Sequence, residues 1–488
     1  MKFTTDILLA KIRDGQTMTL HDQILLVAQL SFPAMLAQLS SIIMQYIDAS
    51  MVGQLGADGA ASIGLVSTSL WLFGGICSAV ATGFSVQVAH RIGANDFSGA
   101  RSVLRQSMVA CMIFAIGITA LGVAVSKPLP VWLGGHAKII SAASHYFIIF
   151  MLGIPFLIME FLAGGMLRCS GNMRIPSTLN VLMCALDVVF NFLFIFPSHH
   201  FQVLGIHFTL PGLGLGVVGA AVGTVLAEVV VCLLMMYYLL FRSDTLKLTQ
   251  DTGSYNLERD CLRKAFNISF PIGLQHVVMN GAMVVITAIV APLGSIAIAA
   301  NSFGVTAESI CYMPGYGLEE AATTLVGQSA GARRRELMRR FANITVIMAM
   351  IIMGLMGILL YFAAPAIMSM MTPVKEVVDL GAAALRIEAF AEPLFAASIV
   401  CYGVFVGAGD TLTPCWMNIF SIWAVRLTLA AVLVGSMGLL GVWTAMCVEL
   451  CFRGIIFLLR LRSDRWIGVK RFGNNGRKFS KFQSTSVR

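Results

Sequence analysis

Long apolar segments, separated by short polar ones, occupy most of this 488-residue chain. Each is at least about 20 residues long, which is the length an α-helix needs to cross the hydrocarbon core of a bilayer. The segments do not show the period-two alternation of a membrane β-strand. The pattern therefore predicts an all-α membrane protein with twelve transmembrane helices, near residues 24–50, 60–86, 104–126, 140–166, 174–196, 213–241, 264–291, 297–325, 341–366, 380–406, 413–436 and 439–462.

The composition excludes most other protein classes. Hydrophobic residues make up 58% of the chain and charged residues only 12%, whereas soluble domains carry about 25% charged residues. A soluble enzyme, a disordered chain and a disulfide-bonded scaffold are therefore excluded. The 11 cysteines stand mostly alone in apolar segments and are predicted to be small core residues. The sequence has no GxxxxGK(S/T), HExxH or CxxC motif, so we expect no enzyme, no ATP-driven pump and no metal centre.

The basic residues lie almost entirely on alternate connections between the predicted helices. Twelve crossings place both termini on one side, and all but five of the 33 Lys and Arg residues fall on that side or at its interface. Of those five, Lys127, Lys138 and Lys375 fall on the other side, and Arg386 and Arg426 lie within helices. Because cytoplasmic loops carry the excess of Lys and Arg, this bias predicts that both termini are cytoplasmic.

The two halves of the chain share residues at a fixed offset of 238, as 269 is from 31. After the fifth helix the offset falls to 222, as 441 is from 219, so the first half has about 16 extra residues in its fifth-to-sixth connection. Six helices per repeat predict two six-helix bundles related by a pseudo-two-fold axis along the membrane normal. The matching positions are Ser31-Phe32-Pro33 with Ser269-Phe270-Pro271, Leu55-Gly56 with Leu293-Gly294, Gly93-Ala94 with Gly331-Ala332, Pro155 with Pro393, Gly171 with Gly409, Pro176 with Pro414, and Asn180 with Asn418.

This pattern divides the chain into five predicted regions. Two lobes are joined by a cytoplasmic linker and flanked by cytoplasmic segments. The basic C-terminal tail is expected to touch anionic lipid. The regions are an N-terminal segment (1–23), an N-lobe (24–241), the linker (242–263), a C-lobe (264–462) and the tail (463–488). In repeated transporters of this kind the substrate binds between the halves, although repetition alone also fits a channel or a lipid flippase.

Three motifs stand at or near the repeat positions. They are residues 47–53 (IDASMVG), residues 313–317 (MPGYG) followed by 324–328 (TLVGQ), and residues 407–411 (GAGDT) with Pro414. They resemble the VDT-hydrophobic-VG motif, the helix 8 signature and the helix 10–11 corner of the multidrug and toxic compound extrusion (MATE) family. The resemblance covers roughly residues 20–465. The loop at residues 90–96 does not resemble the GxxxDRxGRR-like loop of the major facilitator family.

The resemblance implies a secondary antiporter of a bacterial inner membrane that exports organic cations, drugs or metabolites by alternating access. The coupling ion would be H⁺ or Na⁺, with no other cofactor, and the partners would be a small cationic or amphipathic substrate and membrane lipid. A monomer is expected, and no nucleic acid. Two alternatives stay open. A flippase for a lipid-linked or polysaccharide precursor would need a strongly cationic cavity, and a passive channel would need no titrating acid.

Two intramembrane acids are specific to the first half. Charged groups inside a bilayer are costly, so an acid there is a candidate functional residue. The repeat counterpart of Asp48 is Ile286, and that of Asp187 is Val425. We therefore hypothesise that Asp48 and Asp187 form the cation- or proton-coupling site.

Further polar residues are predicted to belong to this site. Asn180, Asp187 and Asn191 are spaced i, i+7 and i+11, which places them on one face of the fifth helix. The resemblance adds Thr224 of the sixth helix. The MATE pattern often has Asn followed by Asp four residues later, and this chain has the reverse order, Asp187 and then Asn191.

A second group of residues is assigned to the substrate cavity. Glu392 precedes Pro393 in the tenth helix, and the paired Pro155 and Pro393 are predicted to bend both helices. Glu392 is either a cavity carboxylate or the partner of Arg426 in the eleventh helix.

Two more cavity candidates lie on other helices. Glu320 neighbours Glu319 on the eighth helix, where adjacent residues point to different faces. His276 lies in the seventh helix, where some MATE members carry a Glu as part of a cation site. His276 either titrates in the cavity or packs as a hydrogen-bonded residue.

Overall fold

The computed structural model describes residues 2–203 and 206–467, so most of the predicted basic tail lies outside the described residues. The described chain is almost entirely helical. The helix that follows the first loop begins at a capping box, because the Thr19 hydroxyl accepts from Asp22 N and the Asp22 carboxylate accepts from Thr19 N. The first half comprises α1 (Lys2–Arg13), α2 (Leu20–Gly53), α3 (Gly56–Gly93), α4 (Phe97–Val125), α5 (Leu129–Trp132), α6 (Ala137–Cys169), α7 (Arg174–Ile195), the strands β1 (Pro197–Val203) and β2 (Ile206–Leu213), and α8 (Gly216–Tyr237).

The second half repeats this order with two of its spans interrupted. A π-helical turn separates α14 from α15, and the break between α12 and α13 bends the chain by 59°. The helices of this half are α9 (Arg259–Val290), α10 (Ser295–Gly331), α11 (Arg335–Met371), α12 (Lys375–Glu388), α13 (Glu392–Ala408), α14 (Leu412–Phe420), α15 (Leu427–Met437) and α16 (Leu439–Arg462).

Each of the twelve predicted spans coincides with one of these helices or with an interrupted helix, which confirms the all-α two-lobe fold. Within the described residues, ten helical segments are long and apolar enough to cross a membrane, and α12 with α13 makes an eleventh. Helix α10 is the twelfth, with 37 residues. It is not among those ten segments, and it carries three acids, Glu308, Glu319 and Glu320.

The backbone shows the internal repeat directly. The first residues of α4, α6 and α7 precede those of α11, α12 and α14 by the same offset that relates the two halves of the sequence. Left-handed backbone conformations also occur in pairs with the spacings predicted from the sequence. The pairs at the larger offset are Gly56 with Gly294, Asn95 with Arg333 (both φ 57°), and Gly171 with Gly409, and the pair at the smaller offset is Gly216 with Gly438. These turns require either glycine or a residue that tolerates positive φ.

The two halves differ at two places. The extra residues of the first half form the antiparallel β1–β2 hairpin between α7 and α8. The paired prolines also act differently. Helix α6 continues through Pro155, whereas at Pro393 the chain breaks after α12 and restarts as α13. The bend predicted at both prolines is therefore present as a break in the second half, where Pro393 stands in the first turn of a helix, whereas α6 is not interrupted at Pro155.

Each lobe has its own apolar core, and the lobes meet through repeated contacts. Phe84, Phe147 and Met235 are buried in the N-lobe core, and Leu385 and Trp443 in the C-lobe core. Between the lobes, α2 packs against α10, and the repeat counterparts of this pair, α9 and α3, pack against each other. The lobe interface therefore follows the pseudo-two-fold axis.

One face of the molecule carries the linker, α1 and the loops at residues 94–96, 170–173 and 332–334; we call it the basic face. The linker is fastened to α4, because Arg101 and Arg105 both bind Asp251. Burial disfavours the charged form of Asp251, but the two guanidinium groups outweigh it and hold the pKa of that carboxyl below its ordinary value.

Helix α1 bridges the two lobes at the basic face. Leu8, Leu9 and Ile12 are buried in a core that also contains residues of α2, α10 and α11. On its polar side, Arg334 Nη1 donates to the Lys11 carbonyl oxygen at 2.9 Å, and Asn95 Nδ2 donates to the Arg13 carbonyl oxygen at 3.3 Å. Asn95 belongs to the first half and Arg334 to the second, so α1 contacts both.

Candidate functional site: a carboxyl pair, a cavity and a seal

The two predicted acids meet inside the N-lobe. Asn191 Nδ2 lies 3.1 Å from Asp48 Oδ1 and 3.1 Å from Asp187 Oδ2, and 3.5 Å from Thr224 Oγ1. The two carboxyl groups are within hydrogen-bonding distance of each other. Asp187 and Asn191 are only 1% and 2% exposed, while Asp48 is half-buried. The structure thus brings four of the five predicted residues together on α2, α7 and α8.

The site retains unused acceptor oxygens. Among the described residues, Asp187 Oδ1 and Asn191 Oδ1 are buried and have no hydrogen-bond partner. The Asn191 amide has two hydrogens and faces three acceptors, so it cannot satisfy all of them at once. Two carboxyl groups in contact, with spare oxygens, can hold either a proton or a small cation.

Two glycines of α8 allow this arrangement. A Cβ at Gly223 would overlap Asn191 Oδ1, and a Cβ at Gly219 would overlap the Phe194 carbonyl oxygen. Because neither glycine has a side chain, α8 approaches α7 closely enough for Thr224 to reach Asn191.

We expect Gly223→Ala to displace Asn191 from the acids and to reduce proton-coupled transport by roughly tenfold. That factor corresponds to the loss of one hydrogen bond to a charged group, about 1.5 kcal/mol. The measurement is the pH-gradient-driven transport rate in proteoliposomes. Gly64→Ala is the matched control, since a Cβ there meets nothing within 4 Å. A normal rate in Gly223→Ala would contradict this role for Asn191.

Three further polar residues, Asn180, Tyr146 and Glu228, lie on the helices around the carboxyl pair. Asn180, predicted to belong to it, makes no hydrogen bond to the acids among the described contacts, and lies two helical turns away on α7. The sequence pattern does not identify Tyr146 of α6, and it favours a structural role for Glu228 of α8. Tyr146 lies within electrostatic range of Asp48, Asp187 and Glu228. The signal for Glu228 was its position four residues after Thr224, on the same helical face.

A cavity of about 630 Å³ lies between the lobes. It is lined by α2, α3 and α6 on one side and by α9, α10 and α13 on the other. His276 and Glu320, both predicted cavity residues, line it. Asp48 and Asp187 do not, so in this conformation the carboxyl pair and the cavity are separate sites.

The charged groups of the cavity are arranged around α10. Glu320 is paired with Arg168 of α6 at 3.4 Å and accepts from Gln38 Nε2 of α2 at 3.3 Å. The neighbouring Glu319 also lines the cavity, and among the described residues its carboxylate has no hydrogen bond or ion pair. The sequence predicts that Glu320 faces the cavity, and the structure places both glutamates there.

Glu392 and Arg426 lie elsewhere than predicted. They are not cavity-lining residues but parts of a polar cluster inside the C-lobe, where Glu392 is 0% exposed. No ion pair joins them in the described structure. Arg426 instead lies within electrostatic range of Glu449, Glu308 and Glu388. The break before α13 makes Glu392 the first residue of that helix, and its side chain is buried in the interior of the C-lobe and not exposed to the cavity. Within the cluster, Arg453 and Glu449 form an ion pair at 3.1 Å.

A seal between the lobes closes the cavity toward the basic face. His90 Nε2 donates to the Gly407 carbonyl oxygen at 2.8 Å, and Gln328 Nε2 donates to the Cys169 carbonyl oxygen at 2.9 Å. His90 and Gln328 are repeat counterparts, and so are Cys169 and Gly407. The two hydrogen bonds are therefore pseudo-symmetric copies of one contact.

Close backbone packing around the same axis reinforces the seal. A Cβ at Gly93 would overlap the Gln328 carbonyl oxygen, and a Cβ at Gly331, the counterpart of Gly93, would overlap the His90 carbonyl oxygen. The reciprocity means that the pseudo-two-fold axis runs through this contact, so separating the lobes here breaks both copies together.

The chain is thus a two-lobed, internally repeated membrane protein with a carboxyl pair in one lobe and a cavity between the lobes. The MatE family model matches residues 33–193 and 271–432, two segments whose first residues occupy equivalent positions in the internal repeat. Because these segments cover more than half of the chain, the protein belongs to the MatE family and is a MATE family transporter.

Known relatives are similar over nearly their whole length. The chain is 24% identical over 443 residues to "Probable multidrug resistance protein NorM" of Thermotoga maritima, covering 90% of this chain and 92% of that protein. It is 26% identical over 432 residues to the protein of the same name from Pseudomonas aeruginosa, covering 86% and 84%.

Solved structures share the fold. An outward-facing multidrug resistance MATE family transporter matches with a TM-score of 0.82 at 22% identity, covering 90% of this chain and 94% of that one. A MOP superfamily transporter from Pyrococcus furiosus, described as having a binding pocket of reversed polarity, matches with a TM-score of 0.81 at 23% identity and the same coverage.

Proposed function

We propose that the protein is a secondary antiporter that exports cationic organic molecules from the cytoplasm in exchange for protons. The observation that carries this proposal is the contact between Asp48 and Asp187, in a lobe whose repeat counterpart has Ile286 packed in an apolar core at the position of Asp48. An acid pair present in one lobe only is not required by the fold. It is therefore a candidate for the ion exchange.

The chemistry of the pair favours a proton. In surroundings of low dielectric constant, two carboxyl groups in contact cannot both carry a charge, so they share a proton. A bound proton lets one acid donate to the other, which leaves Asn191 free to donate to the remaining oxygens. Loss of the proton produces a second negative charge within a few ångströms, and the repulsion drives α2 and α7 apart.

Helix α2 connects the pair to the cavity. Asp48 and Gln38 lie ten residues apart on α2, a distance of about 15 Å along the helix. Gln38 donates to Glu320, which is paired across the lobe boundary with Arg168. A shift of α2 that follows protonation is therefore transmitted to the cavity through the Gln38–Glu320 contact. The proposed coupling path needs two arrangements, the paired one of this structure and one in which the contact is separated.

The seal supplies the closed gate that alternating access requires. With the basic face in the cytoplasm, as the distribution of Lys and Arg favours, the described conformation is closed toward the cytoplasm. Opening to the cytoplasm then needs separation of the His90–Gly407 and Gln328–Cys169 contacts and movement of α1.

The cavity favours cationic over anionic substrates. Its two lining arginines, Arg168 and Arg453, are paired with Glu320 and Glu449. A flippase for a pyrophosphate-linked precursor would need unpaired cationic groups. The relatives named as multidrug resistance proteins support export of foreign organic molecules.

The test is substrate-evoked proton movement in proteoliposomes. N-methylacridinium, a permanently charged aromatic cation, is added outside vesicles that contain a pH-sensitive dye. In Na⁺-free buffer, its uptake should alkalinise the lumen as protons leave in exchange. Uptake without any pH change would indicate a passive channel, and uptake that occurs only with Na⁺ would show that the exchanged ion is not the proton.

A further inference from the structure

The walls of the cavity are symmetric in position but not in chemistry. Ser78, Thr82 and Ser85 of α3 line one wall, and their repeat counterparts, Tyr316, Glu320 and Thr323 of α10, line the other. The first half thus contributes small hydroxyl groups, and the second half contributes an aromatic ring and an acid at the equivalent places. A ligand held between the lobes therefore meets both cavity carboxylates, Glu319 and Glu320, on α10.

We infer that Glu319 is the residue that gives the cavity its preference for positively charged substrates, with Tyr316 and Tyr402 as the aromatic walls around the charge. This inference rests on the proposed export function and assigns its charge selectivity to one side chain. Glu319 projects from α10 beside Glu320, but only Glu319 lacks a partner in the described structure.

The two neighbouring glutamates differ in whether their charge is compensated by a partner. The Glu320 carboxylate is neutralised by Arg168 at 3.4 Å and receives a further hydrogen bond from Gln38. Arg453, the other lining arginine, is already paired with Glu449. Counting each pair as neutral leaves Glu319 as the uncompensated charge among the described lining residues. An unpaired carboxylate in a partly desolvated cavity gains most from a cation.

The packing around Glu319 fixes its side chain toward the cavity. A Cβ added to Gly403 on α13 would lie only 2.5 Å from the Glu319 Cγ. Because Gly403 has no side chain, there is room for the side chain of Glu319. Tyr316 and Tyr402 lie within electrostatic range of the Glu319 carboxylate. Aromatic faces beside a carboxylate hold an organic cation by stacking and by cation–π attraction. A volume of about 630 Å³ accommodates a tricyclic aromatic molecule.

The experiment compares two ligands of the same shape. N-methylacridinium carries a permanent charge, and acridine is uncharged at about pH 8. Binding of each to the purified full-length protein in detergent is followed by ligand fluorescence, for the wild type and for Glu319→Gln. Glu319→Gln should weaken binding of N-methylacridinium roughly 10- to 100-fold, because the ring cation loses the opposite charge beside it in surroundings of low effective dielectric constant. Binding of acridine should change less than about twofold.

Two further variants make the result specific. Glu319→Asp keeps the charge and should retain most of the preference for the cation. Glu376→Gln makes the same substitution in the exposed first turn of α12, outside the cavity, and should leave both affinities as in the wild type. Equal losses for both ligands in Glu319→Gln, or an unchanged preference for the cation, would overturn the inference. If the wild type itself prefers neither ligand and moves no protons, the proposed function fails instead.

Discussion

Asp187→Asn should abolish proton-driven transport and leave exchange of substrate for substrate largely intact. The substitution removes the titrating group that is buried against Asp48, so the pair can no longer alternate between one and two negative charges. The cavity and the seal contain neither acid and are left unchanged. We expect the gradient-driven rate to fall to the level of protein-free vesicles, because a pair without its second titrating acid cannot link proton movement to transport.

A swapped pair is the matched control for this substitution. The double variant Asp187→Asn with Asn191→Asp moves the carboxylate one helical turn along α7 and keeps one acid and one amide in the same cluster. Because Asn191 already contacts Asp48 at 3.1 Å, an acid at that position remains beside it. We expect this variant to recover much of the coupled transport. A rate as low as that of Asp187→Asn alone would show that the position of the acid, and not its presence, is decisive.

Gly331→Ala should destabilise the seal and shift the protein toward a conformation that is open at the basic face. The added Cβ would overlap the His90 carbonyl oxygen, and the lobes must separate to relieve the contact. Overpacking of this kind costs about 1–3 kcal/mol, so the ratio of the two conformations should change roughly 5- to 150-fold. Native Cys169, buried at the seal, reports the change through faster alkylation, read by peptide mass spectrometry.

The control for the seal is a glycine of a lipid-facing helix. Gly117→Ala on α4 adds the same atoms where nothing lies within 4 Å, and it should leave alkylation of Cys169 as in the wild type. Gly93→Ala, the symmetric counterpart, should act like Gly331→Ala because it meets the Gln328 carbonyl oxygen in the same way. Opposite effects of the two glycine variants would contradict a seal centred on the pseudo-two-fold axis.

The fold was predictable because its signals are periodic and repeated. Twelve apolar segments and an offset that stays the same through the first five helices of each half define the two lobes, and the structure shows that offset again in paired left-handed turns such as those at Asn95 and Arg333. The break before α13 was not predictable from its proline alone, since Pro155 at the equivalent position stands inside one continuous helix. The difference depends on tertiary packing around each proline.

The candidate site was only partly predictable. The absence of acids at the counterparts of Asp48 and Asp187 identified the pair, and helical spacing placed Asn191 beside Asp187. Helical spacing also placed Asn180 on the same face of α7. Residues on one helical face can nevertheless lie too far apart along the helix axis to contact each other. Glu392 was predicted to be either a cavity carboxylate or the partner of Arg426, because it precedes a paired proline and occurs in one half only. The direction of its side chain into the C-lobe is not visible in the sequence.

The most direct test of the account measures two rates on one preparation of Asp187→Asn proteoliposomes: uptake of N-methylacridinium driven by a pH gradient, and exchange of tritium-labelled for unlabelled N-methylacridinium at equal pH. We predict that the first rate falls to the level of protein-free vesicles while the second stays within about twofold of the wild type. Equal loss of both rates in folded protein would show that the pair belongs to the substrate site, and retention of both would show that it does not couple transport to protons.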